Sequence, residues 1–437
     1  MLLLSLSLYQ PYQAMHSITK QQLITQLRDA RRRTMELVDG LTYEQLMGPK
    51  NLATINPLPW EIGHVAYFHE LWCLRHRHHL DSFLDTADSL YDSININHDD
   101  RWDLPIPPMP EIYDYMDKVL NREIELLEKE ENTAEAMYLY RYALFHEDMH
   151  TEAFTYTRQT LNHPAPSLSP EPSRPEPAGA LDGDVHVPAC EYQLGARPKD
   201  GFCFDNEKWA HPVMVEAFDI ARAPVTNSQY LEFVGADGYN NRNYWDEDGW
   251  NWKNERQLEY PVYWRKENGQ WQQRHFNNWL PLADHQPVIH VSWYEAQAWC
   301  RWANRRLPTE AEWELAASGI EKRCYPWGDD EPTETCVNMD STTSGCIDVA
   351  ALPESDSVYG CRQMLGNVWE WTDTTFQPFV EFTPDMYADY SQPLFDITKV
   401  LRGGAWTTRS RMIRNTWRNY CGPDRNDVFS GFRTCKV

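Results

Sequence analysis

Residues 162–183 read NHPAPSLSPEPSRPEPAGALDG, with six prolines in 22 positions. Proline lacks the amide hydrogen that helices and sheet ladders use, and it biases the residue before it toward extended backbone. The stretch therefore cannot continue a helix, and residues 163–183 are expected to run as an extended linker. A chain of 437 residues is also too long for one hydrophobic core. Two folded bodies follow, residues 15–162 and 184–437.

The first body reads as helices. TKQQLITQLRDARRRTMELVDGL sets Leu23, Leu27 and Met35–Leu37 at helical spacing behind Ser17 and Thr19 as caps. PLPWEIGHVAYFHELWCLRHRHHL, MPEIYDYMDKVLNREIELLEKEE and TAEAMYLYRYALFHEDMHTEAFTYTRQTL supply three more. Four such helices predict a four-helix bundle, in which metal sites are built from inward-facing side chains. The second body mixes strand-like runs (HPVMVEAFDIARAPVT, VLRGGAWTT) with two short helical patterns, SWYEAQAWCRWANRR and TEAEWELAAS. Most of the 19 Trp and 23 Tyr fall after residue 200, as expected for irregular loops pinned by large rings. The fold class expected is α+β in two domains, a helical bundle followed by a loop-rich mixed domain.

The net charge of −25 disfavours non-specific binding to nucleic acid or to an anionic membrane surface. No run reaches the roughly 18 apolar residues of a membrane span. The opening MLLLSLSLYQPYQAMHS has an apolar run but no basic flank and no clear cleavage site, so it reads as a disordered leader or upstream start with Met15 as the alternative initiator. Ten scattered cysteines without a C-x-x-C pair suggest mostly reduced thiols and a cytoplasmic location, with a Cys336 disulfide to Cys346 or Cys361 left open.

HEDMH, residues 146–150, matches H-E-x-x-H and aims His146 and His150 at one point on a helix. The familiar reading is a zinc hydrolase with the glutamate as base. That reading needs a third ligand downstream, and TEAFTYTRQ offers no Gly-x-x-His; Glu152 points away from the ligand face. His64 in PWEIGHVAYFHE is the better third candidate, while RHRHH at 75–79 reads as a solvated cluster at a helix end. Three neutral imidazoles suit Fe(II) and leave coordination positions for substrate and O2. Glu147 and Asp148 then become supporting or surface groups. The bland alternatives are a surface coincidence for the pair and an ordinary buried histidine for His64.

PLPWEIGH and LFHEDMHTEAF resemble the DinB-like domain of the non-heme iron sulfoxide synthases of the ergothioneine pathway, the EgtB family. APVTNSQYLEF, PVIHVSWYEAQAWCRWANRRLPTEAEWELAA, MLGNVWEWTDTTF, VLRGGAWTT and GFRTC resemble the formylglycine-generating-enzyme (sulfatase-modifying) fold, a variant of the C-type-lectin architecture. The cysteine pair that formylglycine chemistry needs is absent: Thr407 and Thr408 stand after the GGAW strand, and the next cysteine is Cys421. The resemblance implies an O2-dependent Fe(II) oxidoreductase that joins sulfur or selenium to the imidazole carbon of hercynine, with His64, His146 and His150 as iron ligands. It implies hercynine contacts at Asn419 and Tyr420, and a hold on the donor at Arg425, whose alternative is an ion pair with Asp424 or Asp427.

Departures from the family narrow the donor. Met149 stands where these enzymes commonly offer glutamine to the substrate. LYDSININHDDRWDLPIPP replaces a segment with a tyrosine pair and several arginines, leaving Arg101 as the only arginine between His79 and Pro110. One guanidinium matches a dicarboxylate donor poorly. The segment is similar to the selenoneine synthase branch (SenA), whose donor is a selenosugar. Asp92 and Asn95, with Asn97, His98, Asp99 and Asp100, suit hydroxyl recognition; a plain solvated loop is the alternative. The donor expected is thus a selenosugar, with cysteine or γ-glutamylcysteine, as in ergothioneine sulfoxide synthases, second. The family's active-site tyrosine falls in FVEFTPDMYADYS, where Phe382, Tyr387 and Tyr390 are candidates. Asn338, Asp340, Asn367 and Glu370 resemble positions that support a structural Ca2+, with loop bracing as the alternative.

Overall fold

The computed structural model describes residues 18–50 and 52–437, so the expected leader and the choice between Met1 and Met15 lie outside the described residues. The helical body contains α1 (Lys20–Val38), α2 (Tyr43–Met47), α3 (Leu58–His69), α4 (Ala87–Tyr91), α5 (Met109–Leu127) and α6 (Ala134–Thr160). Helix α1 starts at a capping box in which Thr19 accepts from the Gln22 amide and Gln22 returns the bond. Its stripe of Leu23, Ile24, Leu27 and Leu37 is buried, and it packs along α6. Helix α3 is buried on every face because α5 and α6 both pack against it.

Helix α3 runs on into a π-helical turn, Glu70–His76. The RHRHH segment that follows is not a freely solvated cluster. Arg77 pairs with Glu130 at 2.6 Å, Arg75 with Asp88 at 2.7 Å, and His78 hydrogen-bonds the Tyr140 hydroxyl at 2.7 Å. The sequence showed a run of cations, but not the acids that other elements bring to them.

The proline-rich stretch is extended yet strapped to both bodies. Arg32 on α1 donates to the Ser169 carbonyl at 2.7 Å, Ser173 bridges to Thr343, and the Ala178 and Gly179 amides donate to Asp348.

The second body is built from small sheets. One has β1 (Asp184–Val187) antiparallel to β4 (Phe218–Ala221), followed by β13 (Cys435–Lys436) and β8 (Arg305–Arg306). The other has the order β11 (Asn419–Cys421), β10 (Lys399–Arg402), β9 (Trp369–Thr375), β12 (Ser430–Gly431), with β12 parallel to β9. A hairpin of β2 (Cys190–Leu194) and β3 (His211–Val215) and a meander of β5 (Trp264–Glu267), β6 (Gln270–His275) and β7 (Asn278–Pro281) complete the strands. Helices α7 (Asn227–Gly235), α8 (Glu247–Glu255), α9 (Trp293–Trp302) and α10 (Glu310–Ser318) lie between them in sequence. The mixed α+β class is as the sequence predicts. Trp313 and Trp371 are fully buried and satisfied, donating to Glu370 at 2.7 Å and to the Val291 carbonyl at 2.9 Å. All ten cysteines are free thiols, so neither disulfide considered for Cys336 forms.

The four residues considered for calcium do not converge on one point. Asn338 and Asn367 meet at 3.0 Å, but Glu370 is locked to Arg433 at 2.7 Å and Asp340 faces Arg409 at 3.2 Å. Their oxygens brace the loops, which is the alternative the sequence left open.

Glu314 on α10 shares this logic. It is fully buried and pairs with Lys322 at 2.7 Å and Arg402 at 2.6 Å. Burial alone would raise its carboxyl, but the two cations more than offset this and hold it at about 2 against 4.5 when unfolded. A depressed carboxylate stabilises the fold fully above pH 4.5 and loses that contribution as pH falls toward 2. Glu314→Gln is therefore expected to cost about 3 kcal/mol at neutral pH. Thermal unfolding of both proteins from pH 7 to pH 3 checks it: the gap in Tm should narrow steadily below pH 4.5.

Candidate metal centre and its cavity

Helices α3 and α6 cross in the bundle and bring three imidazoles together. His146 and His150 stand one turn apart on α6, His64 faces them from α3, and one nitrogen from each lies within 4.8 Å of the others. The Nε2 atoms of His146 and His150 are 3.3 Å apart. Each ring is held from behind. Trp60 stacks on His64 at 5.0 Å and 6°, and Phe68 stacks on His146 at 3.7 Å and 8°.

Two of the rings are also fixed in tautomer. Nδ1 of His64 donates to the Tyr91 carbonyl at 2.8 Å, and Nδ1 of His150 donates to Glu61 at 2.7 Å, which leaves Nε2 free as the ligand atom. Gly63 makes the first contact available: a Cβ there would lie 2.2 Å from the Tyr91 ring, so only glycine lets α4 approach α3 this closely. Burial, with His150 alongside, lowers His64 to about 3 and pushes His146 well below its ordinary value. Three imidazoles with one nitrogen each converging on a common point are what a borderline divalent cation such as Fe(II) requires, so the residues present fit that ion.

The glutamate of HEDMH faces elsewhere. Glu147 is fully buried, bonded to Arg31 at 3.0 Å and Thr34 at 2.7 Å, and lies 3.2 Å from the His69 ring. Burial opposes its charge, yet Arg31 and His69 hold the carboxyl far below its usual range. A zinc hydrolase would need this group as base at the metal, and here it serves the bundle core. Nor are Glu147 and Asp148 surface groups. Asp148 is buried and grips Arg411 of the second body through two bonds of 2.6 Å.

The cluster opens into a cavity of about 340 Å3 whose far wall comes from the second body. Tyr387 meets Phe68 edge-on at 5.1 Å and His146 at 6.4 Å. Tyr390 also lines the cavity, but its hydroxyl contacts the Met149 sulfur at 3.7 Å. Phe382 packs on Phe395 instead. Met149, Tyr156 and Tyr420 separate this space from a second cavity of about 270 Å3, lined by Glu152, Trp369, Trp417, Asn419, Cys421 and Arg425. Glu152 indeed points away from the histidines, accepting from Trp369 at 2.6 Å and Thr408 at 2.5 Å.

The donor-loop residues divide. Arg101 reaches the metal cavity, where it lies 3.9 Å over the Trp60 ring and donates to Asn56 at 2.6 Å. Asp92 and Asn95 do not reach it: Asp92 accepts from the Ile94 amide at 3.0 Å and from Asn95 at 2.7 Å, a local turn that uses up both side chains. Asn97 and Asp100 likewise bond each other, and His98 ties the loop to the Ile55 carbonyl. Ser93, which the sequence reading passed over, lines the cavity instead. Arg425 forms the ion pair with Asp427, at 2.6 and 2.7 Å, while lying 5.7 Å over the Tyr156 ring. Glu61, Trp60 and Asp389 were also missed; a glutamate one turn before His64 in an otherwise apolar helix was the available signal for Glu61.

Residues 170–437 match the sulfatase-modifying factor enzyme 1-like domain, and residues 26–154 match the DinB superfamily. The hercynine oxygenase of Mycobacterium tuberculosis is 34% identical over 429 residues, covering 94% of this chain and 98% of that one. Its counterpart in Mycolicibacterium thermoresistibile is 34% identical, covering 94% of each. The chain belongs to the hercynine oxygenase family. The formylglycine-generating enzyme of Streptomyces coelicolor, 27% identical, covers 62% of this chain. Among the described residues no helix is long and apolar enough to cross a membrane.

Glu61→Ala is expected to weaken metal binding about 10- to 100-fold by freeing the His150 ring. Glu147→Gln should lower thermal stability by about 3–5 kcal/mol while changing metal affinity little. Anaerobic Fe(II) titration and thermal unfolding of the two variants separate these roles.

Proposed function

We propose that this chain is an O2-dependent non-heme iron enzyme that joins selenium, or failing that sulfur, to the imidazole carbon of hercynine, with a selenosugar as the preferred donor. The observation that carries the reading is the converging three-histidine cluster at the floor of a cavity closed by the second body. Bound Fe(II), held by His64, His146 and His150, would supply electrons to O2 and leave positions for both substrates side by side.

The chain's own groups support the rest. The cavity behind Met149 has aromatic walls from Tyr156, Trp417 and Tyr420 and the partly buried carboxyl group of Glu152, a setting that suits the trimethylammonium group of hercynine. Asn419 lines the same space. Met149, in place of glutamine, offers no hydrogen bond toward the substrate. Burial raises the Tyr387 hydroxyl above its ordinary value, so it is a protonated phenol beside the cluster and our choice as proton donor. Tyr390, engaged with Met149, is placed to pack.

The donor preference rests on charge. Among the residues lining the metal cavity, Arg101 is the single guanidinium, and Arg425 is already paired with Asp427. Neither matches a dicarboxylate thiol.

Iron-loaded protein given hercynine, O2 and equal amounts of a selenosugar, cysteine and γ-glutamylcysteine should yield the selenium product in excess by mass spectrometry. Predominant sulfoxide from γ-glutamylcysteine would overturn the donor assignment. Tyr387→Phe should slow turnover about 100-fold at unchanged iron content, and Tyr390→Phe far less.

A further inference from the structure

Four carboxylates border the two cavities, and three have partners. Glu61 accepts from His150, Asp148 from Arg411, and Glu152 from Trp369 and Thr408. Asp389 is the fourth. It lines the metal cavity from the turn Ala388–Tyr390, two residues past Tyr387, and among the described residues no donor or cation pairs with its carboxylate.

The cation nearest in kind is turned aside. Arg101 directs its terminal nitrogens to Asn56 and the Ile96 carbonyl and its face to Trp60, and among the described residues its buried Nε has no partner. Besides Arg101, Glu61, the histidines and the tyrosines, the polar wall of the cavity offers Asn56 and Ser93 as hydrogen-bonding groups, and among the described residues Asp389 is its one carboxylate without a partner. An unpaired carboxylate half removed from water seeks hydroxyl or ammonium donors and repels another carboxylate.

We propose that Asp389 selects the donor: its oxygens accept the hydroxyl hydrogens of an uncharged, polyol-bearing chalcogen donor, and its charge turns away donors that carry carboxylates. The inference rests on the reading that such a donor meets hercynine at the histidine cluster, and it adds the residue that sorts one donor class from another. A charged selector next to Tyr387 would act on binding, before any chemistry.

The test compares wild type with Asp389→Asn, a near-isosteric change, and with Asp389→Glu. Calorimetric titration of the iron-loaded protein, anaerobically and with hercynine present, uses an uncharged thiosugar and γ-glutamylcysteine as probes. Asp389→Asn should weaken the sugar about 10- to 100-fold and tighten γ-glutamylcysteine, while Asp389→Glu keeps the wild-type order. Opposite movement of the two affinities is something a merely structural role would not produce. If both affinities move together, or neither moves, Asp389 is not the selector and the inference falls. Failure of the wider reading has a separate signature, the absence of any hercynine product from wild type under O2 with every donor.

Discussion

A carboxylate buried without a partner destabilises a fold by several kcal/mol, and helix α6 carries three within six residues, two of them buried and Glu152 partly so. Glu147, Asp148 and Glu152 leave the helix in different directions, so each must find its partner in a different part of the molecule. Arg31 and Thr34 answer Glu147 from α1. Arg411 answers Asp148, and Trp369 with Thr408 answers Glu152, all from the second body. These requirements fix the rotation of α6 about its own axis, and with it the direction in which His146 and His150 point. Asp29 of α1 reaches Arg411 as well, at 2.7 Å, and also pairs with Arg409, so the docking is a small network rather than a single bond.

The division of labour follows. All three histidines, the Tyr91 carbonyl and Glu61 belong to the helical body, whereas Tyr387, Asp389, Asn419 and Tyr420 come from the second. The histidine cluster is thus internal to one body, and the cavity beside it is completed by the second. Arg101 stacks on Trp60, which in turn stacks on His64, so a loop of the helical body is joined to the histidine cluster through two ring faces.

What could be read from the sequence was whatever has a period or a fixed local meaning. The helix pattern gave the bundle, the i, i+4 spacing paired His146 with His150, and the tryptophan density announced a ring-pinned second body. His64 was nominated by its neighbourhood and does meet the other two. The donor loop was harder, because residue type says what a side chain can bond and not which bond it takes. Asp92 and Asn95 satisfy each other, and Arg425 turns to Asp427, both short-range choices that compete with any ligand. The π-helical turn after α3, the strapping of the linker and the unanswered charge of Asp389 depend on groups distant in sequence, and no local pattern encodes them.

Gly63 carries a consequence beyond its packing. It sits directly before His64 on an apolar helix, where it lowers helix propensity, and its place is explained by the ring of Tyr91 lying across it. The chain leaving Tyr91 is the same loop that continues through Ser93 to Arg101. A side chain at position 63 would push that loop outward, and the damage would fall on the tautomer of one imidazole and on the wall that Ser93 and Arg101 give the cavity together. The absence of a single methyl group therefore ties the orientation of one imidazole of the cluster to the shape of the cavity it faces.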